Sequence, residues 1–305
     1  VNILLSGCTG FIGGRLTKEL ALEGHELTSL TRRREYSGLF AAPNVRYAPW
    51  DGRDAGAIAG HVDGADAVIN LAGESIAKGR WSDARKKVLV DSRVGPATAI
   101  VEAIAAAKSK PKVLVNASAV GYYGNVEEGE VPEGHAAGEG FLASLCVKWE
   151  EAANRAAASG VRVVLPRIGF VIGGKGSALG MMALPFRLFV GGPIGTGRQW
   201  FPWVHVSDVT GIARAALTAE GLRGPVNAVA PETVTMRQFC SALGAAMGRP
   251  SWVPVPGFAV RLLVGELAGM ILGGQKVVPS ALREAGYRFR YPGLAPALAD
   301  ALNER

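Results

Sequence analysis

Cysteine and histidine are scarce, with three and four among 305 residues. Cys8, Cys146 and Cys240 form no Cys-x-x-Cys pair and share no ligand spacing with the histidines; this argues against a structural zinc and suits a reducing compartment. Long hydrophobic runs are also missing. The most apolar stretch, residues 255–274, carries Arg261 and Glu266 and falls short of an uninterrupted membrane span, so it reads as a buried or partner-facing helix. Basic clusters are equally few. The net charge is +7, yet the densest group is "TRRR" at 31–34, which argues against nucleic acid as a partner and leaves an anionic small ligand in view. There is no internal repeat and no low-complexity linker. The chain opens on "VNILLSG", a strand pattern with no basic-then-apolar leader before it, and the expectation is a cytoplasmic protein, or an organelle protein whose leader has been removed.

What is present is an alternation. Apolar strand-like runs at 2–6, 26–30, 67–73, 112–118 and 161–173 are separated by helical patterns at 12–24, 92–107 and 140–159. Strands this short and this continuously apolar are buried on both faces, which argues for a doubly wound parallel α/β sheet of the Rossmann type. After Gly173, glycine- and proline-rich text replaces that rhythm up to residue 202; a helix-like stretch and a strand follow, and from 231 short helices mix with proline-bounded loops. The predicted organisation is a Rossmann domain over 1–173, completed by 203–230. Residues 174–202 and 231–305 are predicted to form a smaller mixed α/β C-terminal lobe that binds substrate over the C-terminal ends of the strands.

The segment "LLSGCTGFIGGRL" sets Gly7, Gly10 and Gly13 three residues apart between the first strand and the first helix. The first glycine permits a tight turn, the second lets backbone approach a pyrophosphate, and the third lets helix pack close to strand. Thr9, Phe11 and Ile12 share this turn, where the helix N-terminus offers N–H donors to anionic oxygens. At the end of the second strand an acidic side chain would accept from the ribose 2′-OH of NAD. Thr31 and Arg32 stand there instead, and an arginine suits a 2′-phosphate through a charge-assisted contact, so NADP(H) is the predicted cofactor.

With these motifs followed in order by "VINLAGESIAKGRW", "DSRVGPATAIVEAI", "ASAVGYYG", "FLASLCVKWEEAA", "LPRIGFVIG", "GGPIGTGRQWFPWVH" and "PVNAVAPE", the chain resembles the extended short-chain dehydrogenase/reductase superfamily over nearly its whole length. Within it, the chain is similar to the divergent epimerase family of sugar-nucleotide-epimerase-like proteins. The resemblance implies that Leu71, Ala72 and Gly73 line the cofactor and that Val171 approaches the nicotinamide. It gives Ser118 the place of the serine that hydrogen-bonds the substrate's reacting oxygen. Arg93, where many relatives carry asparagine, is placed to reach the pyrophosphate or the nicotinamide ribose, or to serve a salt bridge on the helix surface. Asp208 is expected to cap the helix that follows it.

One departure divides the functional readings. Relatives that transfer hydride need a tyrosine with a lysine four residues later, whose ammonium lowers the phenol's pKa and holds the ribose. The tyrosines here, at 36, 47, 122, 123, 287 and 291, have no such lysine, and alignment on Glu150 puts Leu142 and Cys146 at the two positions. An oxidoreductase or nucleotide-sugar epimerase built on this chain needs another acid, for which Tyr123 and Tyr122 are candidates beside Ser118. The alternative is a sensor or regulator that binds NADP(H) without turning it over; some relatives of this kind are connected with cell division. For a sugar-like or anionic substrate, Arg198, Trp200, Trp203 and His205 offer a cation and aromatic faces, although tryptophans so close together more often belong to a core and His205 reads as a satisfied interior residue rather than a catalytic base. The apolar stretch around 258–272 is a candidate contact for an oligomer.

Overall fold

Two four-residue runs in which every residue is buried, Ala67–Asn70 and Val113–Asn116, lie in the middle of a parallel sheet. Neither could face water, and helices cover both sides. The structure, a computed structural model, describes residues 1–303; the last two positions of the expected second lobe, 304 and 305, lie outside the described residues.

In chain order the first half runs β1 (Asn2–Ser6), α1 (Phe11–Leu22), β2 (Glu26–Thr31), β3 (Val45–Pro49), α2 (Gly56–Val62), β4 (Ala67–Asn70), α3 (Asp83–Ala106), β5 (Val113–Asn116), β6 (Ser118–Ala119) and β7 (Glu130–Val131). Then come α4 (Phe141–Asn154), β8 (Arg162–Ile168), β9 (Phe170–Ile172), α5 (Leu179–Arg187), β10 (Trp203–His205), α6 (Val206–Thr218) and β11 (Gly224–Ala228). The remainder is α7 (Met236–Met247), α8 (Gly257–Val264), α9 (Ala268–Leu272), β12 (Lys276–Val277), α10 (Ser280–Glu284) and α11 (Leu294–Asn303).

The main sheet has the order β11-β8-β5-β4-β1-β2-β3 with every pairing parallel, and β6 adds beside β8. This is the doubly wound Rossmann arrangement. Strand order reverses between β1 and β4, and a crevice at such a switch point, at the carboxyl ends of the strands, is where dinucleotides bind. The two-residue period of β1 divides the core: Ile3 and Leu5 join α1 and α6 residues such as Leu16, Leu20 and Ile212, while Leu4 joins Ile58, Ile100 and Leu114 on the other face. A separate cluster, in which Ile172, Phe186, Trp203, Phe239, Leu243 and Leu298 meet, gathers α5, α7 and α11 around β9 and β10.

Three elements differ from the sequence expectations. The run 161–173 is not one strand: it breaks at Gly169, where a Cβ would lie 2.8 Å from the Pro202 carbonyl oxygen, and β9 leaves the main sheet to pair with β10. The stretch 255–274 is not one helix, because Gly265 takes φ +62° and divides it into α8, a short 3-10 turn and α9. It is buried on one side only: Val260, Leu267 and Ala268 are buried, whereas Phe258, Leu262 and Leu263 are exposed. Strand β3 carries no apolar run and was invisible to periodicity. Among the described residues no helix is long and apolar enough to cross a membrane.

Candidate functional site

The β1–α1 turn is set by two close approaches. Gly7 has φ +80°, and a Cβ there would lie 2.5 Å from the Leu71 carbonyl oxygen; at Gly13 a Cβ would lie 2.2 Å from the carbonyl oxygen of Gly7. No side chain fits either place, so α1 starts hard against the strand. Its first turn has no side-chain cap and no acidic residue, which leaves backbone N–H donors and the positive end of the helix dipole available to an anion. Gly10 and Thr9 are exposed at the tip and Ile12 is half-buried. Phe11 reaches across to the chain after β9, its ring 2.4 Å from where a Cβ of Gly173 would be. Val171 is half-buried there and pairs with Val204.

Polar side chains tie the neighbouring strand ends together. Ser6 Oγ donates to Asn70 Oδ1 at 2.5 Å, Asn70 Nδ2 donates to Asn116 Oδ1 at 2.6 Å, and the Ala72 N–H donates to Asn70 Oδ1 at 3.2 Å. At the end of β2, Thr31 is buried and its hydroxyl accepts from the Arg33 N–H. Arg32 projects outward, its side chain 74% exposed, and reaches Glu74 Oε1 at 3.1 Å; that hydrogen bond holds the Glu74 carboxyl below its ordinary range. Gly73 lies on the Arg93 guanidinium, a Cβ there falling 3.3 Å from Cζ. Arg93 donates to the carbonyls of Glu74 and Leu89 at 2.8 and 3.2 Å and stands 5.4 Å over the Trp149 ring, and burial lowers its pKa. Its hydrogen-bond partners are chiefly carbonyls that fix the loop after β4, rather than a carboxylate on the helix surface.

The catalytic candidates belong to a buried network. Ser118 Oγ donates to Glu150 Oε1 at 2.6 Å, and Glu150 takes both arms of Arg167 at 2.8 Å each. Arg167 also donates to the Tyr123 hydroxyl at 2.8 Å, which in turn donates to Asn227 Oδ1 at 2.6 Å. Burial opposes the Arg167 charge, and the Glu150 carboxylate outweighs it, so the guanidinium is held above its ordinary pKa. Tyr123 is 1% exposed and burial pushes its phenol up to about 12. With both hydrogen-bonding directions taken, the phenol ties β8 to β11 through Arg167 and Asn227. Tyr122 lays its ring on Arg167, 3.4 Å from Cζ, and acts in packing. Ser118 remains at the end of the sheet, with its proton committed to Glu150.

The wall where a tyrosine–lysine pair would stand is apolar. A Cβ on Gly121 would lie 3.4 Å from Leu142 Cβ and 4.0 Å from Cys146 Sγ, so this face of α4 does turn toward the Ser118 segment. Burial raises the Cys146 thiol to about 12, and neither side chain supplies a tuned proton.

The expected substrate residues do not converge. Trp203 is 1% exposed in the separate cluster around β9 and β10 and donates from Nε1 to the Glu232 carbonyl. His205 is fully buried; its Nδ1 caps α6 by accepting from Ser207, and its Nε2 lies 3.2 Å from Asp300. It therefore holds the capping position expected of Asp208, which instead accepts from the backbone of Arg290 and Tyr291 and pins the chain before α11. Arg198 is exposed. Trp200, half-buried under Lys276, borders a cavity of about 10 Å³ shared with Trp203 and Glu232, room for one water and not for a sugar. Among the described residues no three His, Cys, Asp or Glu side chains are placed to hold a metal.

Sequence reasoning missed Glu74, Arg85, Arg167 and Asn227. A signal existed for the third: a charge inside the apolar run "VVLPRIGF" requires a buried partner.

Comparison with known proteins agrees with this geometry. The model of the NAD dependent epimerase/dehydratase family matches residues 3–228, and a domain of unknown function, DUF1731, matches 255–301. The epimerase family protein SDR39U1 homolog, chloroplastic, of Arabidopsis thaliana is 40% identical over 310 residues, covering 98% of this chain and 86% of that protein. Epimerase family protein YfhF of Bacillus subtilis is 37% identical, covering 100% and 99%. Among solved structures, human epimerase family protein SDR39U1 (isoform 2) with NADPH superposes with a TM-score of 0.88 at 37% identity, covering 99% of both chains. UDP-galactose 4-epimerase, at 17% identity and a TM-score of 0.76, shares the fold. The glycine turn, the parallel sheet and these matches together establish that the chain belongs to the NAD dependent epimerase/dehydratase family.

Proposed function

We propose that this chain binds NADP(H) across the ends of β1, β2 and β4 and holds it without the phenol–ammonium acid of hydride-transferring relatives. The observation that carries the reading is the α4 face: Leu142 and Cys146 stand against the segment that bears Ser118. The residues fit the dinucleotide. The uncapped start of α1 and the close glycines would take the pyrophosphate, Arg32 the 2′-phosphate, and Leu71, Ala72 and Gly73 the adenosine side, with Arg93 and Val171 toward the nicotinamide half. NADPH bound in the human relative supports the choice of cofactor. When bound, NADPH supplies a hydride. This chain's residues would orient the nucleotide, while the Ser118 proton stays on Glu150 and the Tyr123 proton on Asn227, so none is presented to a substrate carbonyl. A binding protein that reports the state of NADP(H) to a partner fits this arrangement better than an epimerase or reductase. Residues 1–173 with 203–230 form the nucleotide domain on this reading, and 174–202 with 231–303 the lobe available to a ligand or partner. Three buried free thiols suit a reducing compartment, cytoplasm or organelle.

The test is fluorescence titration with NADPH, followed by NADPH oxidation against a panel of carbonyls and nucleotide sugars. Binding without turnover is the expected result. Turnover that disappears in Ser118→Ala would overturn the binding-only reading and restore an enzyme.

A further inference from the structure

Glu74 is fixed at its backbone, and its carboxylate lies beside two cations. Its N–H donates to Ser92 Oγ at 3.1 Å and its carbonyl accepts from Arg93 at 2.8 Å, so α3 clamps the residue from both sides. The carboxylate lies between two guanidinium groups. Oε1 is 3.1 Å from Arg32 Nη2, and Oε2 is 3.8 Å from Arg85 Nη2. The two arginines differ in environment: the Arg32 side chain is 74% exposed and that of Arg85 17%. Arg85 Nη2 donates to the Ser75 carbonyl at 2.5 Å, whereas its Nε–H is buried with no hydrogen-bond partner among the described residues. A buried, unsatisfied N–H of a cation beside a carboxylate is a place that carboxylate can fill at a gain.

We propose that Glu74 is a two-position carboxylate that determines how strongly the site prefers a phosphorylated adenosine, pairing with Arg32 when no 2′-phosphate is present and with Arg85 when one takes Arg32. The proposal rests on the NADP(H) reading above and assigns a new residue pair to it. A phosphate dianion outcompetes a carboxylate for an exposed guanidinium. A carboxylate left beside the phosphate would repel it, so a second acceptor site for Glu74 removes a penalty. An unphosphorylated ribose offers no anion to displace Glu74, and the pair with Arg32 persists. Arg85 is thus a positioning residue, acting through Glu74.

The experiment measures binding of adenosine 2′,5′-bisphosphate and of 5′-AMP to the full chain by calorimetry, in the unaltered protein, Glu74→Gln, Arg85→Met and the double variant. Thermal unfolding of each variant checks that it is folded. An exposed ion pair of ordinary strength predicts that Glu74→Gln tightens the bisphosphate about two- to five-fold with no change for 5′-AMP. Arg85→Met weakens the bisphosphate by a similar factor when Glu74 is present and has no effect when it is combined with Glu74→Gln. Equal effects of Glu74→Gln on both nucleotides, or the same Arg85→Met effect with and without Glu74→Gln, would overturn the exchange while leaving NADP(H) binding intact. If the unaltered chain binds neither NADPH nor the bisphosphate, the cofactor reading falls and the exchange with it.

Discussion

Replacing Tyr123 by phenylalanine separates a strut from a catalytic acid. The substitution removes one hydroxyl from a site that is 1% exposed. Asn227 Oδ1 then loses its donor at 2.6 Å, while Arg167 Nη1 loses an acceptor at 2.8 Å and keeps the Glu133 carbonyl at 3.0 Å. One orphaned buried acceptor costs about 1–3 kcal/mol. For a chain of this size each kcal/mol moves the melting temperature by roughly 2 °C, so Tyr123→Phe should melt about 2–6 °C lower. Tyr122→Phe is the control, because it keeps the ring on Arg167 and should stay within about 0.5 kcal/mol of the parent. Thermal unfolding by circular dichroism, run beside NADPH titration, reads both effects, and NADPH affinity should change less than about two-fold in either variant. A Tyr123→Phe protein that melts like the parent yet loses turnover would refute the reasoning. So would a Tyr122→Phe protein with the larger loss.

Other consequences follow from the same contacts. Gly13→Ala places a Cβ 2.2 Å from the Gly7 carbonyl oxygen and should destabilise the chain by about 1–3 kcal/mol and weaken NADPH at least about ten-fold, measured by urea unfolding and titration. Glu150→Ala leaves the Arg167 side chain, 3% exposed, without its carboxylate and should cost about 3–5 kcal/mol; a paired Glu150→Gln and Arg167→Met replacement should cost less than the alanine variant in the same unfolding assay. Burial raises Cys146 from 9.0 and Tyr123 from 10.0 to about 12, and raises Cys8 and Cys240 from 9.0 to about 11. These folded values lie above the unfolded ones, so the stabilisation is complete below the unfolded values and is lost as pH rises toward the folded ones; unfolding midpoints from pH 8 to 11 should fall above about pH 9, and a flat profile would contradict the assignment.

The parts of the fold legible in the sequence are those imposed locally. The glycine spacing at 7, 10 and 13 reports a steric requirement of the backbone itself, and continuous apolar runs such as "AVIN" report burial on both faces. Strand β3 has only Ala48 buried, so it left no pattern to read. The break at Gly265 was hidden because the flanking apolar residues keep a helical look on either side. The candidate site divides in the same way. Arg32 follows from its place at the end of β2, but the Ser118–Glu150 bond spans 32 residues and the Tyr123–Asn227 bond 104, and no local spacing encodes either. Trp203 and His205 show a residue type that suits two roles. Their residue types suit recognition or an interior place, and both are buried, Trp203 as a filler of the cluster around β9 and β10 and His205 as a helix cap.

The central claim is that the β1–α1 turn and Arg32 hold NADP(H). Calorimetric titration of the purified chain with NADPH and with NADH tests it most directly. The account predicts one-to-one binding of NADPH, tighter than NADH by about ten-fold or more from the charge-assisted contact of Arg32 with the 2′-phosphate. Heat from neither nucleotide, or tighter binding of NADH, would contradict it.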